Sequence, residues 1–88
     1  MWIRAQGGIL VNADKLEVIV DDKHTIRVDG NIKTEWRIRG ISEDNTNYLW
    51  QCETEQEAKQ KMEKINSALR WSARYVDLEN GSIFGMEV

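Results

Sequence analysis

The chain has 88 residues, 41% hydrophobic and 31% charged, with a net charge of -3, four tryptophans and a single cysteine. This profile excludes a disordered chain and an intrachain disulfide framework, and it leaves room for one domain spanning 1–88, which buries roughly 60–65% of the surface its unfolded form exposes. The acidic balance opposes non-specific attraction to nucleic acid or anionic lipid, and no apolar run suits an export signal or the roughly 20 residues of a spanning helix, so a cytoplasmic location without membrane contact is expected.

Met1 to Gln6 alternates as a first strand, with Ile3 and Ala5 on one face and Trp2 and Arg4 on the other, and Gly7-Gly8 marks a tight turn. A short strand over Ile9–Val11 runs into the turn-forming Asn12-Ala13-Asp14, after which Leu16, Val18 and Val20 share a face. Side chains alternate with period two, so facing apolar residues with apolar residues across a hairpin requires an odd loop. On that rule Asp21-Asp22-Lys23 is a loop pairing Val20 with His24 and Val18 with Ile26. Asp29-Gly30-Asn31 is a second loop, pairing Val28 with Ile32 and His24 with Trp36.

The next strand, Ile32 to Arg39, sets Ile32, Thr34, Trp36 and Ile38 against Lys33, Glu35, Arg37 and Arg39. After the polar stretch 40–47, Tyr48, Trp50 and Cys52 share the core face and Leu49 lies on the outer face or beneath the helix. Thr54-Glu55-Gln56-Glu57 is a capping box: the Thr54 hydroxyl accepts from the Glu57 amide, and the Glu57 side chain accepts in return from the amide of Thr54. Ala58, Met62, Ile65 and Leu69 then form an apolar stripe, with Glu55/Lys59 and Glu57/Lys61 at the spacing of helical ion pairs. Beyond the helix, Arg74–Leu78 and Ile83–Val88 flank Glu79-Asn80-Gly81-Ser82, a hairpin signal that leaves open whether the hairpin joins the main sheet or another subunit.

These elements predict an α+β fold: an antiparallel meander of five to six strands over about 1–52, packed on one amphipathic helix at about 54–71, followed by a β-hairpin at about 74–88.

Candidate chemistry is sparse. His24 stands alone on the apolar face with no second imidazole, and it reads as a packed histidine rather than a metal ligand. Cys52 precedes a helix N-terminus but is surrounded by Glu53, Glu55 and Glu57, which oppose a reactive thiolate. Asp21-Asp22 and Glu43-Asp44 lack the repeated spacing of a calcium loop, so neither a metal nor a cofactor is expected. No nucleophile has a base within its own or a neighbouring strand, which argues against an enzyme.

Two sets of residues remain unexplained by folding. Trp2 faces opposite Ile3, and Trp71 lies about 200° around the helix from Leu69, so both are candidate interface anchors. Lys23, Arg27, Lys33, Arg37 and Arg39 would project together from the outer face of one hairpin, a surface able to track a phosphate backbone, although Asp29 and Glu35 interrupt it and no aromatic accompanies it.

The segments Trp2-Ile3-Arg4-Ala5-Gln6, Leu10-Val11-Asn12 and Thr54-Glu55-Gln56-Glu57-Ala58 resemble a group of short uncharacterised proteins from Gram-positive bacteria and their phages, which open with a similar strand and turn and close with an acidic-capped helix. The resemblance covers about two-thirds of the chain, is structural, and transfers no catalytic residue. A meander followed by a helix is also similar in architecture to pleckstrin-homology-like domains, from which the hairpin after Leu69 departs. Taken together, these readings favour a non-enzymatic protein-interaction module, self-associating or bound to another protein, using Trp2 and Trp71. The competing reading is a nucleic-acid-binding module using the basic hairpin face.

Overall fold

A computed structural model of the chain describes residues 1–85. Among these described residues seven strands and one long helix follow in the order β1 (Trp2–Arg4), β2 (Leu10–Asn12), β3 (Val18–Val28), β4 (Asn31–Ile41), β5 (Thr46–Cys52), α1 (Glu55–Arg70), β6 (Tyr75–Asp77) and β7 (Ser82–Phe84). Short 3-10 turns at Gln6–Gly8 and Ala13–Lys15 flank β2. The fold is α+β as expected, but its strands divide into two sheets: β3-β4-β5 is an antiparallel meander, and β2-β1-β6-β7 is a second, four-stranded sheet. The C-terminal hairpin therefore joins strand β1, with β6 parallel to it and Ile3 opposite Val76. Positions 86–88 of the expected hairpin lie outside the described residues.

Neither expected three-residue loop forms. β3 runs unbroken through Asp21-Asp22-Lys23, and a two-residue turn at Asp29-Gly30 sets Val28 opposite Asn31 and Ile26 opposite Lys33. Both turn residues have positive φ, 50° at Asp29 and 79° at Gly30, the geometry of a type I′ turn whose twist matches that of the flanking strands. The parity rule fails here because it assumes one buried face. β5 pairs with β4 only from Trp36 to Ile41, so the far half of the β3–β4 ribbon projects with solvent on both sides and Val28 and Ile32 stay exposed. The projection gives the molecule its extents of 51 × 28 × 20 Å.

A bulge between Ile38 and Arg39 changes the second expectation. It sets Ile38 opposite Trp50 but Arg39 opposite Tyr48, leaving Leu49 as the extra residue. Leu49 is thereby fully buried with the helix, the second of its two expected places, while Tyr48 is turned outward instead of onto the core face. Gly40 permits the neighbouring crossing, since a Cβ there would overlap the side chain of Leu16.

Thr54 caps α1 as predicted, its hydroxyl accepting from the Glu57 amide at 3.2 Å. The reciprocal half of the box is absent because Glu57 instead accepts from the Trp50 indole at 3.3 Å. Lys61 likewise forgoes Glu57: its ammonium lies 4.1 Å from the Trp50 ring centroid and donates to the Leu78 carbonyl. Glu55 and Lys59 do pair, at 3.1 Å.

The helix ends in a Schellman motif. Ser72 takes the left-handed conformation at φ 52°, its amide donates to Leu69, and the Ala73 amide donates to Ala68. The buried stripe is Ala58, Ile65 and Ala68, with Leu69 half exposed, so the inward face is rotated from the predicted one. Its two alanines let the helix sit close to Ile38, Leu49 and Cys52 of one sheet and to Ile3 and Val76 of the other, and these residues form a single core.

Candidate functional site

The inner face of the four-stranded sheet is apolar and sealed: Ile3 and Val76 are fully buried and Ile83 packs against them. Its outer face carries an aromatic row that the described residues leave partly exposed. Trp2 is in register with Tyr75, and Tyr75 with Phe84, so three aromatic side chains stand in one row across three adjacent strands. The rings of Tyr75 and Phe84 are 5.6 Å apart and inclined by 36°, a tilted aromatic pair. Trp2 and Phe84 remain 49% and 54% exposed. At one end of the row Trp2 shares an open depression of about 490 Å³ with Leu69, Ala73 and Arg74.

The adjacent row on the same face is charged and internally paired. Arg4 lies 3.2 Å from Asp77 and 3.6 Å from Glu79. Asp77 also accepts from the amides of Glu79 and Asn80 and from the Asn80 side chain, which fixes the β6–β7 loop. Burial pushes the Asp77 carboxyl upward, but the Asn80, Glu79 and Arg4 hydrogen bonds outweigh it and hold the group below the ordinary carboxylate range. Arg4 is thus paired within the chain, and this row keeps one net negative charge.

Of the two tryptophans singled out from the sequence, Trp2 belongs to this face. Trp71 forms the C-cap of α1 and is 50% exposed, but it is not among the residues lining the depression. Tyr75 and Phe84 escaped the sequence reading, yet their signal was present: in Tyr75-Val76-Asp77-Leu78 and Ser82-Ile83-Phe84 the aliphatic residues alternate with aromatic and polar ones, which assigns the aromatics to the face opposite the core.

The five basic residues do not share a face. The β3–β4 register places Lys23 and Arg27 beside Trp36 and Ile32, while Lys33, Arg37 and Arg39 lie on the other side beside Ile26, Asp22 and Val20. Arg39 makes two hydrogen bonds to Asp22, at 3.0 and 2.7 Å, and Arg37 lies 3.3 Å from Glu35. His24 stands opposite Glu35 rather than Trp36, because the two-residue turn shifts the register by one. Its Nε2 is 2.7 Å from Asp22 Oδ2 without hydrogen-bond alignment.

Cys52 is buried against the helix, and burial, followed by the charge of Glu57, pushes its thiol up to about 11. A thiol held this far above neutral pH carries little thiolate. Cys52 is therefore expected to resist a water-soluble disulfide reagent in the native protein and to react within the dead time in denaturant. Fast native labelling would show that this segment opens readily. Among the described residues no group of three or more His, Cys, Asp or Glu is placed to hold a metal ion, and no helix is long and apolar enough to cross a membrane.

No protein family, no curated protein and no solved structure matches the chain.

Proposed function

We propose that this protein is a non-enzymatic interaction module, acting in the cytoplasm, whose contact surface is the Trp2–Tyr75–Phe84 row and the adjoining Leu69, and whose simplest occupant is a second copy of the chain. The observation that carries the reading is an ordered aromatic ladder on the side of a sheet away from the core. Folding accounts for Ile3 and Val76 but leaves the ladder half in water.

The half-exposed side chains offer on the order of 300–400 Å² of apolar surface. A standard interface buries about 800 Å² per partner, so the row suits the dry centre of a contact whose rim is polar. Self-contact about a two-fold axis would lay the row against itself. The neighbouring Arg4–Asp77–Glu79 cluster is paired within each copy and carries one net negative charge, which suits the polar rim rather than the dry centre. A nucleic-acid partner has less support, because the ribbon divides its basic residues between two faces and Arg39 is held by two hydrogen bonds to Asp22.

Light scattering after gel filtration tests the proposal. The wild-type mass is expected to rise from one chain to two with concentration, while Trp2→Ser and Phe84→Ser stay at one chain with helical circular dichroism unchanged, since replacing half-exposed residues costs the fold only about 1 kcal/mol. A wild-type single-chain mass at millimolar concentration would overturn self-association.

A further inference from the structure

A second surface lies on the other sheet, along the free side of β5, and it differs chemically from the aromatic row. β5 has no strand partner beyond β4 among the described residues. Gln51 turns its amide away from β4, and that amide is met by a side chain, donating to Gln6 Oε1 at 2.9 Å. Next to this bond an open groove of about 550 Å³ runs between the Gln6–Gly8 turn and β5, walled by Ile9, Tyr48 and Trp50. Ile9 and Tyr48 are both more than 60% exposed there, at 62% and 61%.

The polar groups of the groove are Arg37, Gln6, Gln51 and the Tyr48 hydroxyl, and no carboxylate lines it. The Arg37 guanidinium carbon sits 5.7 Å from the Tyr48 ring centroid. Its counter-charge, Glu35, is 5% exposed and lies outside the groove, so a molecule in the groove meets the guanidinium and not the carboxylate. In a chain of net charge -3 this is a local cationic, donor-rich surface beside apolar walls.

We infer that the β5 edge is a docking site for an extended acidic peptide segment of a partner protein, which adds to the sheet as a further strand. The Gln6 carbonyl occupies the place of the incoming strand's carbonyl on the Gln51 amide, and docking displaces it. Main-chain hydrogen bonds supply the register, and alternate side chains of the segment reach the same face. One set, acidic, meets Arg37 on the Tyr48 side of β5, and the intervening aliphatic set packs toward Trp50 on the other side. The charge complementarity of Arg37 selects acidic over basic segments, since a carboxylate forms charge-assisted hydrogen bonds with guanidinium nitrogens that Glu35 leaves free.

Amide chemical shifts of the ¹⁵N-labelled full chain test this with two short capped peptides, one alternating leucine with glutamate and one alternating leucine with lysine. The glutamate peptide is expected to move the amides of Tyr48 to Gln51 at concentrations where the lysine peptide does not. Arg37→Glu is expected to reverse that order, and Arg37→Gln to abolish the preference if the charge reversal unfolds the ribbon. Gln6→Ala, which removes the internal competitor, is expected to tighten the glutamate peptide about fivefold, the factor of one ordinary hydrogen bond. Equal response to both peptides, shifts confined to the Trp2–Phe84 face, or weaker binding by Gln6→Ala would overturn the inference. None of these outcomes bears on the mass of the free chain.

Discussion

Leu49→Ala is expected to destabilise the protein by about 2–5 kcal/mol, the range for truncating a fully buried leucine in a core that cannot collapse around the void. Leu49 is completely buried among residues of both sheets and the helix. Since about 1 kcal/mol moves the melting temperature of a domain this size by roughly 4–8 °C, the variant should melt at least about 8 °C lower. The neighbouring Tyr48→Ala should lose less than about 1 kcal/mol, mostly the contact with Arg37, because Tyr48 faces outward. The contrast is created by one bulge, and chemical denaturation of the pair reads it directly. A costly Tyr48→Ala beside a tolerated Leu49→Ala would return β5 to simple alternation and remove the observed core.

Asp77→Ala is expected to have the second large effect, because four hydrogen bonds converge on that one buried carboxylate. Without it the Glu79 and Asn80 amides and the Arg4 guanidinium lose their partner, the β6–β7 loop loosens, and those amides should exchange with solvent much faster. The pH dependence has a definite sign. The Asp77 carboxyl is lower in the folded protein than its ordinary 3.8, so its contribution is complete above that value and is lost as pH falls toward the folded value. Wild-type stability should therefore drop on acidification below about pH 4, and Asp77→Asn should flatten that limb while keeping part of the loop. An unchanged acid limb in Asp77→Asn would show that another carboxylate governs it.

Local features were legible because their causes are local. The Thr54 cap, the helix that follows, the Gly7-Gly8 turn and the C-terminal hairpin rest on residues a few positions apart, and all are present. The β3–β4 register was not legible. It was inferred from the demand that apolar residues meet across a buried face, whereas the ribbon's far half has no buried face and the Asp-Gly turn decides instead. The bulge in β5 was equally hidden, since one extra residue inverts every later side chain and no residue type announces it. The division into two sheets depends on β1 pairing with β6 more than seventy positions away, a contact that alternation cannot reveal.

The candidate surface was legible in part for the same reason. Trp2 could be assigned to the outer side of its own strand, but its neighbours Tyr75 and Phe84 become neighbours only through that distant pairing. The basic residues show the converse. They share a face only under the register that the structure replaces.

The central claim is that two copies meet through the Trp2–Tyr75–Phe84 row, and isotope-filtered nuclear Overhauser measurements on a mixture of labelled and unlabelled chains test it most directly. Intermolecular contacts are predicted among the rings of Trp2, Tyr75 and Phe84 and the methyls of Leu69. Intermolecular contacts confined to the tip of the β3–β4 ribbon, or none at a concentration where the glutamate peptide still binds β5, would contradict it.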